Sequence, residues 1–121
     1  MINPPSQQQL DKVPSLYSTE NISLEQKHVY FHFTIDKSHW WAMEWNGDDT
    51  FFGYVLLNGW LQDAELGYFS LAELQSVNLG GWLEVQNDPT WIIRPVKDIG
   101  LIRETLNFKA SLHRQLACKA G

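Results

Sequence analysis

Four apolar stretches joined by connections of only a few residues constrain this chain more than any other feature. From His28 to Ile35 the residues alternate. Val29, Phe31, Phe33 and Ile35 fall on one face, and His28, Tyr30, His32 and Thr34 on the other, the period of a half-buried strand. Trp40 to Trp45 continues the alternation, setting Trp41, Met43 and Trp45 against Trp40, Ala42 and Glu44. Asn46-Gly47-Asp48-Asp49 is turn chemistry, and Thr50 to Leu57 is apolar on both faces, as suits a covered central strand. Asn58-Gly59 turns the chain again before a fourth strand, Ala64 to Phe69. Parallel neighbours need crossovers of a dozen or more residues, so this run is an antiparallel meander.

Beyond the meander the period changes. Ser70 and Glu73 have the S-x-x-E spacing of a capping box, which predicts a short helix over Leu71–Asn78, with Leu71, Leu74 and Val77 inward and Gly80-Gly81 beyond its end. Trp82 to Val85 and Trp91 to Ile93 read as two more short strands around an Asn87-Asp88-Pro89 turn. From about Leu101 the spacing of Ile99, Ile102, Leu106, His113 and Leu116 is helical, and Leu101, Phe108 and Leu112 widen the stripe. The expected class is α+β: an antiparallel sheet of about five strands, one short helix and a longer C-terminal helix. The expected organisation is a flexible segment over residues 1–13, a core domain over 14–98 and a basic amphipathic helix over 99–121.

With 121 residues, 44% of them apolar and six of them tryptophan, the chain is long enough to bury a core as a single domain. Cys118 is the only cysteine, so no intrachain disulfide forms. The polar, proline-containing start has no signal-peptide pattern, and no apolar run approaches the ~20 residues of a membrane span, so a soluble, cytoplasmic protein without membrane partners is expected. The net charge of −5 is unevenly placed. Residues 1–93 carry three basic against twelve acidic side chains, whereas residues 94–121 carry six against two. An acidic body with a basic tail bears on partners rather than on fold.

Four segments together resemble a known family: Leu16 to Glu25, Val29 to Asp36, the Phe51-Phe52-Gly53-Tyr54-Val55 strand, and Glu65-Leu66-Gly67-Tyr68-Phe69-Ser70-Leu71-Ala72-Glu73-Leu74. The family is one of small bacterial proteins catalogued as a domain of unknown function and carried on plasmids, conjugative elements and phages. The resemblance runs from about Pro14 to Asp98 and implies bacterial origin and a compact α+β fold. It implies no catalytic residue. Two departures stand out: Val85-Gln86-Asn87-Asp88 replaces an Ile-Glu-Arg-Asp-like stretch, and the basic helix after Asp98 lies outside the shared core.

No catalytic residue, metal site or cofactor is expected from the side chains themselves. His28 and His32 lie four strand residues, roughly 13 Å, apart and cannot share a metal ion; with His39 they read as surface histidines. Phosphate-loop and nucleophile-elbow patterns are absent, and Ser70 is committed to a cap. Trp41, Trp45 and Trp91 suit the core, while Trp40, Trp60 and Trp82 sit beside turns or on a polar phase, where tryptophans anchor partners. With Glu44, Asp48, Asp49, Asp63 and Glu65 they form the expected binding surface. On the last helix, Arg103, Leu106, Lys109, Leu112, Arg114 and Leu116 mark a face for a partner or for homodimerisation. Direct binding of nucleic acid is disfavoured by the acidic body.

These features point to a non-enzymatic binding protein of a mobile element or phage, and within that class to an anti-defence, anti-CRISPR-like inhibitor that occludes a basic or nucleic-acid-binding protein. The alternatives are a small hydrolase using Asp48, Asp49, Asp63 and Glu65, and an accessory factor in conjugation or plasmid maintenance.

Overall fold

A computed structural model describes residues 1–120, with side chains as far as Ala117; the side chains of Cys118, Lys119 and Ala120 lie outside the described part. After a short helix, α1 (Gln7–Leu10), the chain forms β1 (His28–Val29), β2 (Phe31–Ile35), β3 (Ser38–Trp45), β4 (Thr50–Leu56) and β5 (Glu65–Ser70). Helix α2 (Leu71–Ser76) leads into β6 (Asn78–Leu79), β7 (Leu83–Glu84), β8 (Gln86–Asn87) and β9 (Arg94–Pro95), and α3 (Gly100–Ala120) follows. The main sheet has the order β5-β4-β3-β2-β8, every neighbouring pair antiparallel. The class is α+β, with the four-strand meander expected from the short connections.

Each sheet face buries its own apolar layer. Phe31, Phe33, Ile35, Ala42, Phe51 and Phe69 meet Leu10, Val13, Leu74 and Val85 on one side. Trp41, Met43, Tyr54 and Leu56 meet Val29, Val96, Ile99 and Ile102 on the other. A bulge between Ala42 and Glu44 separates two residues that strict alternation puts together. Met43 is the extra residue, so Trp45 crosses to the Phe51 side while Trp41 and Met43 stay on the α3 side. Val29 also parts from Phe31, because the chain breaks its strand at Tyr30 and β1 pairs with β9 instead.

The first thirteen residues are not the free arm that their composition suggests. Ser6 and Gln9 form a complete capping box on α1, and Leu10 and Val13 are buried in the first layer. The Met1 amine bonds Glu84 at 2.7 Å, and Ile2 bridges to Gln86. Helix α2 stops at Ser76, short of the expected Asn78, because Asn78–Leu79 pairs with Leu83–Glu84 and the two glycines turn that small hairpin. Trp91–Ile93 is not a strand; the paired residues are Arg94–Pro95.

Helix α3 covers the sheet only with its first turns. Ile102 and Thr105 are fully buried, and the Thr105 hydroxyl shares a 2.7 Å hydrogen bond with the Tyr54 phenol. Burial raises the Tyr54 pKa, so this pair is neutral at ordinary pH. From Ala110 to Ala117 every residue is exposed, including Leu112 and Leu116.

Two outcomes test this packing. A Cβ at Gly53 would lie 1.8 Å from the Trp41 carbonyl oxygen, so Gly53→Ala should cost on the order of 3 kcal/mol in urea unfolding. Ile102→Ala should cost about 2–5 kcal/mol, whereas deleting residues 111–121 should lower Tm by no more than about 3 °C.

Candidate functional site

After β4, Asn58 and Gly59 both have positive φ, 57° and 71°, the pairing that Asn-Gly adopts most readily. Ser38 Oγ accepts the Asn58 amide and the Lys37 carbonyl accepts the Gly59 amide, each at 3.0 Å. A 3₁₀ turn over Leu61–Asp63 then delivers the chain into β5. This turn sequence carries Trp60 and Asp63 back beside Glu65, at the outer edge of the sheet. The result is a groove of about 360 Å³ lined by Val55, Leu57, Asn58, Trp60, Asp63, Glu65, Gly67 and Tyr68. Trp60 is 57% exposed and Tyr68 56%, so two aromatic faces stand open beside two carboxylates. Three of the expected binding residues (Trp60, Asp63 and Glu65) therefore converge.

The other expected binding residues do not. Glu44 is only 3% exposed; the bulge aims it inward, where it accepts the Tyr17 and Thr19 amides and the Thr19 hydroxyl. Lys27 Nζ donates to the same threonine, which ties the Ser15–Thr19 loop to the sheet. Asp49 completes the α2 cap. Its carboxylate accepts the Ser70 hydroxyl and the Ala72 amide, which lower its pKa in that order. Ser70 Oγ accepts the Glu73 amide, but among the described residues Glu73 returns no bond to the Ser70 amide; Asp49 caps the neighbouring Ala72 amide instead. Trp40 is half-buried against the first layer, Asp48 is exposed in the turn after β3, and Trp82 is 79% exposed in the small hairpin.

On α3 the expected face divides. Leu106 is half-buried, and Lys109 Nζ donates to the Ala64 carbonyl, just before β5. Arg103, Leu112, Arg114 and Leu116 are exposed.

His28 is exposed, as expected, but His32 and His39 are not simple surface residues. Thr34 pairs with His39 and His32 with Trp41, so both imidazoles project from the same face of adjacent strands. His32 Nε2 lies 2.9 Å from His39 Nδ1, with centroids 5.2 Å apart and planes within 10°: the rings meet edge to edge. Both lie nearly parallel to the Trp41 indole, with centroids 5.1 and 5.2 Å away. Trp91 closes one side of His32, and Arg94 stacks on Trp91 at 3.7 Å. Burial, then the neighbouring His39, lowers the His32 pKa to about 4, although Asp88 opposes the shift. Burial lowers His39 as well. This pairing needs the β2–β3 register, and the four-residue span of the turn was its only trace in the sequence. Among the described residues no group of three or more His, Cys, Asp or Glu is placed to hold a metal ion, and no helix is long and apolar enough to cross a membrane.

No protein-family model, curated protein or solved structure matches the chain.

The imidazole pair makes stability depend on pH. Unfolded His32 takes up a proton near pH 6.5, whereas folded His32 resists until about pH 4. Between those values the unfolded state binds more protons, so stability is full above pH 6.5 and is lost as pH falls through the window. The shift corresponds to on the order of 3 kcal/mol. Asp49 and Asp88, with lowered pKa values, lose their contributions only below the usual 3.8. Urea midpoints should fall between pH 7 and 4.5, and His32→Gln should flatten that slope.

Proposed function

We propose that this chain is a non-enzymatic binding protein of a bacterial mobile element, acting in the cytoplasm by occluding a basic protein partner. One observation carries the reading: Trp60, Asp63, Glu65 and Tyr68 line one open groove at the sheet edge. Exposed aromatics supply apolar area at little entropic cost, and two carboxylates select for positive charge. The acidic balance of residues 1–93 extends that selection over the whole body. The resemblance of the Glu65–Leu74 run to a plasmid- and phage-borne family favours a mobile-element setting. A nuclease or effector complex of host defence, whose nucleic-acid-binding surface is basic, is the kind of target such a body would block.

The hydrolase alternative loses half its carboxylates. Asp49 serves the cap beside Ser70, at the far end of β5 from Glu65, roughly 17 Å along the strand.

In a pull-down from bacterial lysate at moderate salt, the wild-type protein should retain a basic partner. A variant carrying Asp63→Asn and Glu65→Gln should retain about tenfold less, and raising the salt should release the partner from both. Retention of no macromolecule even at low salt would overturn the reading.

A further inference from the structure

β5 is the outer strand of the main sheet, and its free edge is unguarded. Leu71 donates to the Asp49 carbonyl at 2.9 Å, and the β4–β5 register continues without a slip from Thr50↔Ser70 to Val55↔Glu65. Because antiparallel bonding alternates, Phe69, Gly67 and Glu65 turn their backbone groups toward β4, while Leu66 and Tyr68 turn theirs outward. Among the described residues, no backbone group outside β4 bonds to Glu65–Phe69. Sheet edges are ordinarily blunted by lysine, proline or a bulge, and β5 has none of these.

Grooves lie on both faces of this edge. The Trp60 groove takes the face of Glu65 and Gly67; on the opposite face, Tyr17, Glu20, Phe52, Leu66 and Tyr68 border a second groove of about 220 Å³. A strand laid against β5 would send alternate side chains into one groove and then the other. Gly67 leaves room for this at mid-strand, because a Cβ there would meet nothing within 4 Å.

We infer that β5 is the docking edge for an extended, lysine- or arginine-bearing segment of another protein, added as a sixth strand to the sheet. The inference rests on the binding reading above and gives it a backbone geometry. Charge sets the occupant. The Trp60 groove is lined by Asp63 and Glu65 and by no lysine or arginine, and in the second groove Glu20 and Glu44 outnumber Lys27. Lys37 packs behind Gly59, at the groove's end. A second copy is the poorer fit, because pairing β5 with itself antiparallel around Gly67 would set each Glu65 opposite Phe69 and offer it no cation from the facing strand.

The probe is a synthetic nine-residue peptide alternating lysine with valine, compared with its glutamate counterpart and with a lysine peptide N-methylated at alternate amides. The lysine peptide should bind and slow hydrogen exchange at the Leu66 and Tyr68 amides by at least about tenfold, and leave Gly67 and Phe69, already bonded to β4, unchanged. The other two peptides should bind at least about tenfold more weakly. Leu66→Pro removes one outward donor and should abolish the exchange effect, whereas Leu66→Val should retain it; the methylated peptide serves if the proline variant does not fold. Lysine-peptide binding that ignores methylation and leaves both amides unchanged would overturn strand addition while leaving the charge-selective groove intact. Equal binding of the glutamate peptide, or no binding of any peptide, would also overturn it. So would concentration-dependent dimer mass lost in Leu66→Pro, which would assign the edge to a second copy.

Discussion

One extra residue in β3 decides how the two faces of this sheet are furnished. With Met43 bulged, Trp45 packs at 4.3 Å against Phe51 on one side, and Glu44 is left on the other among Tyr17, Thr19 and Lys27. Had β3 run without a bulge, Trp45 would share a face with Trp41, and Glu44 would point toward the phenylalanine layer. A carboxylate there would have no donors and would cost several kcal/mol. The bulge turns that liability into a tie. Three donors from the Tyr17–Thr19 segment close on the Glu44 oxygens, so a loop with no secondary structure of its own is held against the sheet. Tyr17 then stands beside Tyr68, raising its pKa, and forms part of the wall along β5. The outer edge of the sheet thus takes part of its shape from a backbone irregularity two strands away.

The sequence made the meander legible because its turn residues and apolar periods agree with one another. Thr50–Leu56 and Glu65–Ser70 lie within a residue of the boundaries that patterning assigns. The same periodicity misplaced Trp45 and Val29, since a bulge or a strand break shifts the phase without altering composition. Residues 1–13 look like an arm because their anchors, Leu10 and Val13, are isolated apolar positions whose partners lie far along the chain. Trp60, Asp63 and Glu65 could be singled out because all three flank one turn. Glu44 and Asp49 could not be told apart from them by residue type, since only the fold reveals that their oxygens are already occupied. The His32–His39 pair is a matter of register, of which the short Ile35–Ser38 turn is the one local sign.

Electrostatically the molecule is divided by commitment as well as by sign. Lys27 and Lys109 are drawn inward to Thr19 and Ala64, and the Met1 amine to Glu84, so much of the positive charge is spent holding loops and ends. Among the described residues, the Asp63 and Glu65 carboxylates accept no hydrogen bond, although the Asp63 amide donates to Trp60. Along the β5 edge the Trp60 groove presents two carboxylates and no basic side chain in its own lining.

The clamp at the opposite edge has a consequence for the order in which the molecule is assembled during synthesis. Met1, Ile2 and Asn3 reach Glu84, Gln86 and Asn87, contacts that span more than eighty residues. The meander needs only neighbours in sequence and can close once Ser70 has left the ribosome. Until β8 is made, β2 remains a bare margin bearing Phe31, Phe33 and Ile35, and the first residues have nothing to grip. The nascent chain thus passes through an interval with two open sheet margins where the finished protein keeps one. The aromatic margin, rather than the acidic one, is the surface that a growing chain most needs to shield.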